Sequence, residues 1–190
     1  LSRQWLMPNQ SLPETTKIKI NINTKSADRQ MMVLIQNVEV KESPKWLKEK
    51  LAVLGHKSIN SIVDITNYLT FGLGQPMHAF DADKIAKDKN GNYEINIRDA
   101  VKGEKITLLN GIDYTLDNTM MVIADNAKAL DVAGVMGGKD SSVSKETRNI
   151  ILSLSGFNAV SIRKTAKTLG IRTDASQRFE NDISRSLVDR

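Results

Sequence analysis

Hydrophobic and polar positions alternate with a period of two from Lys17 to Asn23, with Ile18, Ile20 and Ile22 on one face and Lys19 and Asn21 on the other. That is the signature of a half-buried strand. Met31–Val40 is more continuously apolar and predicts a second strand. The period then lengthens. Ser43-Pro44 opens the clearest helix in the chain, with a serine to cap free N–H groups, a proline at the first helical position and Gly55 to close it. Leu47, Leu51 and Leu54 form its apolar stripe, and Lys45, Lys48 and Glu49 its solvent face. A second helix is expected over Ser61–Leu69, with Ile62, Ile65 and Leu69 on one side, stopping at Gly72 and Gly74.

From Tyr93 the period returns to two. Tyr93–Arg98 alternates cleanly, and Lys105–Leu109 and Asp113–Leu116 flank Asn110-Gly111, a strong hairpin turn signal. Met120–Ala124 and Asn149–Leu154 are further strand candidates. Asn158 then caps a helix whose apolar positions Ala159, Ile162, Ala166 and Leu169 follow the 3.6 period as far as Gly170. Its basic face, Arg163, Lys164 and Lys167, fits a solvated surface or an RNA contact. Residues 1–16, with Pro8 and Pro13, read as a lead-in, and residues 17–190 as one domain. The fold class is α+β: mixed and antiparallel sheets with flanking helices, in three layers.

Composition narrows the chemistry. The chain has 190 residues, 40% of them hydrophobic and only 5% aromatic, so its core rests on aliphatic side chains. At that size it buries roughly 70% of its unfolded surface and needs no covalent staple. The absence of cysteine removes disulfides, thiolate metal sites and cysteine nucleophiles together. The two histidines, His56 and His78, are too far apart for a local zinc motif. Neither a membrane span nor a signal peptide is visible, so a cytoplasmic location is expected. A formal charge of +5 permits a polyanionic partner without arguing for one. The start at Leu1 fits a segment cut from a longer protein.

Four segments carry candidate chemistry. His78 lies in Gly74-Gln-Pro-Met-His-Ala-Phe80, read as a loop, where it either ties backbone together or meets a ligand. Asp64, Thr66 and Asn67 interrupt an Ile-rich helix and are either simply exposed or aimed at a pocket. Ala133-Gly-Val-Met-Gly-Gly138 lacks both the Walker ending and the dinucleotide spacing, so a tight turn between strands explains it as well as a ligand cradle does. Arg172–Phe179 is either a helix N-terminus capped by Thr173 or Asp174, or the polar wall of a site. No nucleophile–base pair and no G-x-S-x-G elbow is present.

Taken in order, Asn60–Tyr68, Gly74–Asp81, Ala133–Gly138, Ser161–Lys167, Gly170–Ser176 and Arg178-Phe-Glu180 resemble the editing domain in the β subunit of bacterial phenylalanyl-tRNA synthetase. The resemblance runs from about Ser43 to Ile183. It implies a second sieve that hydrolyses tyrosine mistakenly esterified to the 3′ end of tRNA(Phe). An apolar synthetic pocket rejects an added hydroxyl by only ~10²-fold, so such a sieve is needed. By the same resemblance the pocket is formed by Thr66, Asn67, His78, Gly134, Thr173 and Ala175, with His78 near the aminoacyl end and in the catalytic role, and Gly134 leaving room for substrate. Aligned on Phe157-Asn158, Ser153 stands where the family pattern has a glutamate associated with the tyrosine hydroxyl. That departure implies weakened or shifted selection.

The resemblance further implies an α subunit, an α2β2 enzyme, and ATP and magnesium acting outside this segment, which itself is expected to hold no cofactor and no metal. The rival reading is a structural, tRNA-supporting module of the same subunit with editing lost or altered. A free-standing protein acting on another aminoacyl ester is a third.

Overall fold

The computed structural model describes residues 18–188, the Arg185 side chain excepted. The lead-in at residues 1–16 lies outside the described residues. The described residues form a mixed α+β fold of two main sheets, a small hairpin and four α-helices. The first sheet has five strands in the order β1-β4-β7-β8-β9: Ile18–Asn23, Tyr93–Asp99, Met121–Ala124, Ala129–Val132 and Met136–Gly137. β1 runs parallel to β4 and the other pairs are antiparallel. The edge strand β1 is secured on its polar face, where Lys19 and Asn21 both bond to the Glu94 carboxylate. The second sheet is antiparallel, in the order β2-β10-β3: Ala27–Ile35, Ile150–Phe157 and Met77–Asp81. Lys105–Thr107 and Asp113–Thr115 (β5 and β6) form the hairpin around Asn110-Gly111. The core fills the space around these strands with Phe80, Ile95, Ile97, Leu108, Val122, Leu130 and Ile151.

The helices are α1 (Lys45–Val53), α2 (Ser61–Leu73), α3 (Ala159–Leu169) and α4 (Asp174–Phe179). α3 matches its sequence signals: the Asn158 side chain accepts the Ser161 N–H, and Gly170 ends the helix in the left-handed region. Thr173 caps α4.

Several expectations are corrected. β2 begins four residues earlier than Met31, because its length is set by pairing with β10 and not by its own apolar run. It cannot continue to Val40, since Asn37 turns the backbone with φ 58. Ser43 does not cap α1; its hydroxyl is donated to Asp64 instead. Leu54 is exposed beyond the buried pair Leu47 and Leu51.

α2 is longer than expected, and its predicted row is only partly inward: Ile62 and Leu69 are half-buried and Ile65 is exposed. Asp64, Thr66 and Thr70 are its buried positions, while Ile65, Tyr68 and Leu73 face outward. The reason is local. Asp64 accepts the Ser43 and Ser58 hydroxyls, each at 2.5 Å, and the Ile59 N–H at 2.8 Å. Burial alone would raise this carboxyl, but those bonds hold it below the usual aspartate range.

His78 lies on β3, not in a loop. β8 and β9 are two strands that the apolar run and glycines concealed, and Ala133-Gly134-Val135 is the tight turn between them.

Candidate functional site

β10 and β3 pair so that Ser153 stands directly opposite His78. Cross-strand neighbours place their Cβ atoms about 5 Å apart on one face, so strand register alone brings the two together. On the other side of β10, Gln30 of β2 is the register partner of Ser155. Its side-chain amide clamps both serines: Nε2 donates to Ser153 Oγ at 2.8 Å, and Oε1 accepts the Ser155 hydroxyl at 2.6 Å. Ser153 therefore accepts from Gln30 and keeps its own proton to give. Buried Gln75 fixes the same strand by donating to the Ser155 carbonyl.

The facing wall comes from the five-stranded sheet. Asp131 on β8 and Gly137 on β9 are register partners. The His78 ring sits over Gly137 so closely that a Cβ there would lie 2.7 Å from Cε1 and 3.0 Å from Nε2. Only glycine admits this contact. His78 also meets Phe80 edge-on, with centroids 4.5 Å apart. Its Nε2 is buried and has no hydrogen-bond partner among the described residues. Burial holds the imidazole down to about 4, so it is neutral at neutral pH. Asp131 is buried as well, accepts the Ile123 N–H at 3.0 Å, and is pushed up by burial to about 7.

Between these walls lies a cleft of about 90 Å³. His78, Gly134, Ser153 and Ala175 line it together, with Gly137 of the same glycine-rich motif; Asp131 and Ser155 line it too, although the motifs did not single them out. Ala175 and Phe179 come from α4, and Phe179 packs on Phe157 with centroids 5.0 Å apart. A Cβ on Gly134 would meet Ile162, Phe157 and Phe179 at 2.7–3.2 Å, so the space beside that glycine is filled by the protein's own side chains.

Thr66, Asn67 and Thr173 do not line the cleft. Thr66 is buried and donates its hydroxyl to Val63 O. Its carbonyl accepts from the Thr70 hydroxyl, which in turn accepts the Met77 N–H one residue before His78. Thr66 thus belongs to the chain of bonds that seats β3. Asn67 lies beside it on α2, half-buried. The Thr173 hydroxyl donates to Val135 O at 2.7 Å while capping α4, and so ties the helix bearing Ala175 to the glycine turn.

Asp131 carried one legible signal, a lone acid between Leu130 and Val132 in an apolar run. Gln30 carried none, because its stretch did not read as a strand. The backbone N–H groups of Val135 and Gly138 already donate to Val132 O and Leu130 O. Those two N–H groups are therefore committed to the turn and are not free to meet a developing negative charge. Among the described residues no helix is long and apolar enough to cross a membrane.

The B3/4 domain family matches residues 26–190. The chain is 45% identical over 177 residues to the phenylalanine–tRNA ligase beta subunit of Carboxydothermus hydrogenoformans, covering 93% of this chain and 21% of that protein. It is 45% identical over 177 residues to the same subunit of Aquifex aeolicus, with 93% and 22% covered. The chain thus spans about a fifth of the length of these curated relatives. In fold it is similar to an N-terminal fragment of the phenylalanyl-tRNA synthetase beta subunit from Pyrococcus horikoshii, with a TM-score of 0.52 at 13% identity over 82% of this chain and 49% of that one.

Proposed function

This chain belongs to the B3/4 domain family, and from that premise we propose that it is the editing segment of a phenylalanine–tRNA ligase β subunit, hydrolysing tyrosine esterified to the 3′ end of tRNA(Phe). One observation supports this above the others: an otherwise largely apolar cleft gathers His78, Ser153 and Asp131, and the His78 Nε2 has no hydrogen-bond partner among the described residues. An aminoacyl ester is an aromatic body with a polar reacting end, and a cleft of that composition suits it.

In this reading water attacks the ester carbonyl carbon, the bond to the ribose oxygen breaks, and the proton of the water ends on that ribose oxygen. The neutral imidazole of His78 orients the water by a hydrogen bond. With its basicity held at about 4 it is too weak to be a strong general base. Ser153, whose oxygen is occupied by Gln30, donates its free proton toward the developing oxyanion. No metal or cofactor enters; ATP and magnesium serve the synthetic reaction elsewhere in the ligase, which pairs this subunit with an α subunit in the cytoplasm.

The test is deacylation of Tyr-tRNA(Phe) by the full chain. The wild type is expected to hydrolyse it and His78→Ala to lose at least about tenfold in rate. Undiminished hydrolysis by His78→Ala would remove His78 from this role, and no hydrolysis by the folded wild type would overturn the assignment. A specific observation favours the second reading, a supporting module. An apolar void of about 150 Å³ is what benzene fills, whereas this cleft measures about 90 Å³, so a ring enters only if lining side chains yield. Amide NMR titration with L-tyrosine separates the two, since a module without a pocket gives no shifts at His78, Gly134, Ser153 or Ala175.

A further inference from the structure

We propose that Asp131 is the residue by which the cleft tells a hydroxyl-bearing aromatic acyl group from one without a hydroxyl, its free carboxyl oxygen accepting the phenolic O–H. The inference rests on the editing assignment above and assigns within that site the group that reads the substrate.

The two walls of the cleft offer different chemistry. The β3–β10 wall carries His78 and Ser153 side by side, a neutral acceptor and a neutral donor suited to water and a carbonyl. The β8–β9 wall carries a carboxyl. Asp131 is the only acid among the described residues that line the cleft. Its Oδ1 is fixed by the Ile123 N–H, which sets the side-chain orientation from the neighbouring strand. Its Oδ2 has no hydrogen-bond partner among the described residues, and it is not among the fully sealed orphan atoms of the molecule. A carboxyl held by one oxygen and open at the other is, once ionised, a preformed acceptor for a single O–H.

Tyrosine and phenylalanine differ by that one group. A bond to an ionised acceptor is roughly twice as strong as a neutral one. A phenylalanyl ester would cover Oδ2 without pairing it, and a buried unpaired acceptor is what gives large discrimination against a substrate lacking the hydroxyl. The cleft adds no competing charge: Ile123, Val132, Met136, Gly137, Ala175 and Phe179 line it uncharged, and His78 is the only other titratable side chain among the described residues that line it.

The experiment compares hydrolysis of Tyr-tRNA(Phe) and Phe-tRNA(Phe) by the full chain as wild type, Asp131→Asn and Asp131→Ala. The Asn variant keeps an oxygen for the Ile123 N–H, so the strand pairing persists if the Ala variant fails to fold. Wild type is expected to favour the tyrosyl ester. Asp131→Ala should lower the Tyr:Phe rate ratio at least about tenfold through the tyrosyl rate, and Asp131→Asn should fall between them. The wild-type ratio should also rise with pH as Asp131 ionises, and Asp131→Asn should make it flat, an effect that a purely structural role would not produce. An unchanged ratio in both variants overturns the inference while leaving the editing assignment intact. No hydrolysis of either ester by the folded wild type overturns the assignment itself, and the inference with it.

Discussion

Asp131 and His78 oppose one another in how they couple folding to protons. Asp131, at about 7 in the folded chain against 3.8 ordinarily, holds a proton that the unfolded chain has lost across that interval, so its contribution to stability falls as pH rises from about 4 to about 7. His78, at about 4 against 6.5 ordinarily, does the reverse: the unfolded chain binds the extra proton, and its contribution rises with pH over about 4 to 6.5. The two slopes cancel over most of a shared window. Relative to wild type, Asp131→Asn should therefore gain stability as pH rises from 4 to 7, on the order of 3 kcal/mol in all. His78→Gln should gain as pH falls from 6.5 to 4. Urea unfolding at four pH values measures both, and variant curves parallel to the wild type would contradict the assignment. Neither perturbation was legible in the sequence. A lone acid between Leu130 and Val132 was visible, but the burial that makes it unusual appears only once the strands are paired and the cleft is assembled.

Elements were legible where their ends carry their own chemistry. Asn158, Gly170 and Thr173 mark their helices through local hydrogen bonds and a left-handed residue, and Asn110-Gly111 sets its hairpin. Where pairing decides, local pattern failed. The span of β2 follows from β10, and the short β8 and β9 looked like an apolar run with a glycine turn. α2 is the sharpest case, because its fully buried positions are polar and counting apolar positions passes over them. Asp64 of that helix is held by hydrogen bonds that join the segment just before α1, the segment before α2, and α2 itself. Asp64→Ala leaves two hydroxyls and an N–H without their acceptor and should cost about 3 kcal/mol. Asn60→Ala removes only the cap that accepts from Ile62 and Val63 and should cost about 1 kcal/mol. Thermal unfolding of the two variants ranks them, and an equal or inverted order would show that α2 is seated by its cap.

At the scale of the whole molecule, the cleft is a product of two sheets and one helix meeting. The sequence motifs supplied His78, Gly134 and Ala175 in register with a known family, and that is most of what could be read locally. Gln30 and Asp131 join them only through tertiary structure. The clamp of Gln30 on Ser153 and Ser155 spans 123 and 125 residues of chain. Its consequence is temporal. On a chain made from its N-terminus, β2 emerges long before β10 and waits as an unsatisfied edge until the last long strand arrives. Contacts of that sequence separation close slowly, because loop entropy is lost before the pairing repays it. In refolding followed by pulsed hydrogen exchange, the amides of β4 and β7 should gain protection before those of β2 and β10, and simultaneous protection would refute that order. The cleft is then completed late, and a chain stalled short of residue 150 has a sheet but no cleft.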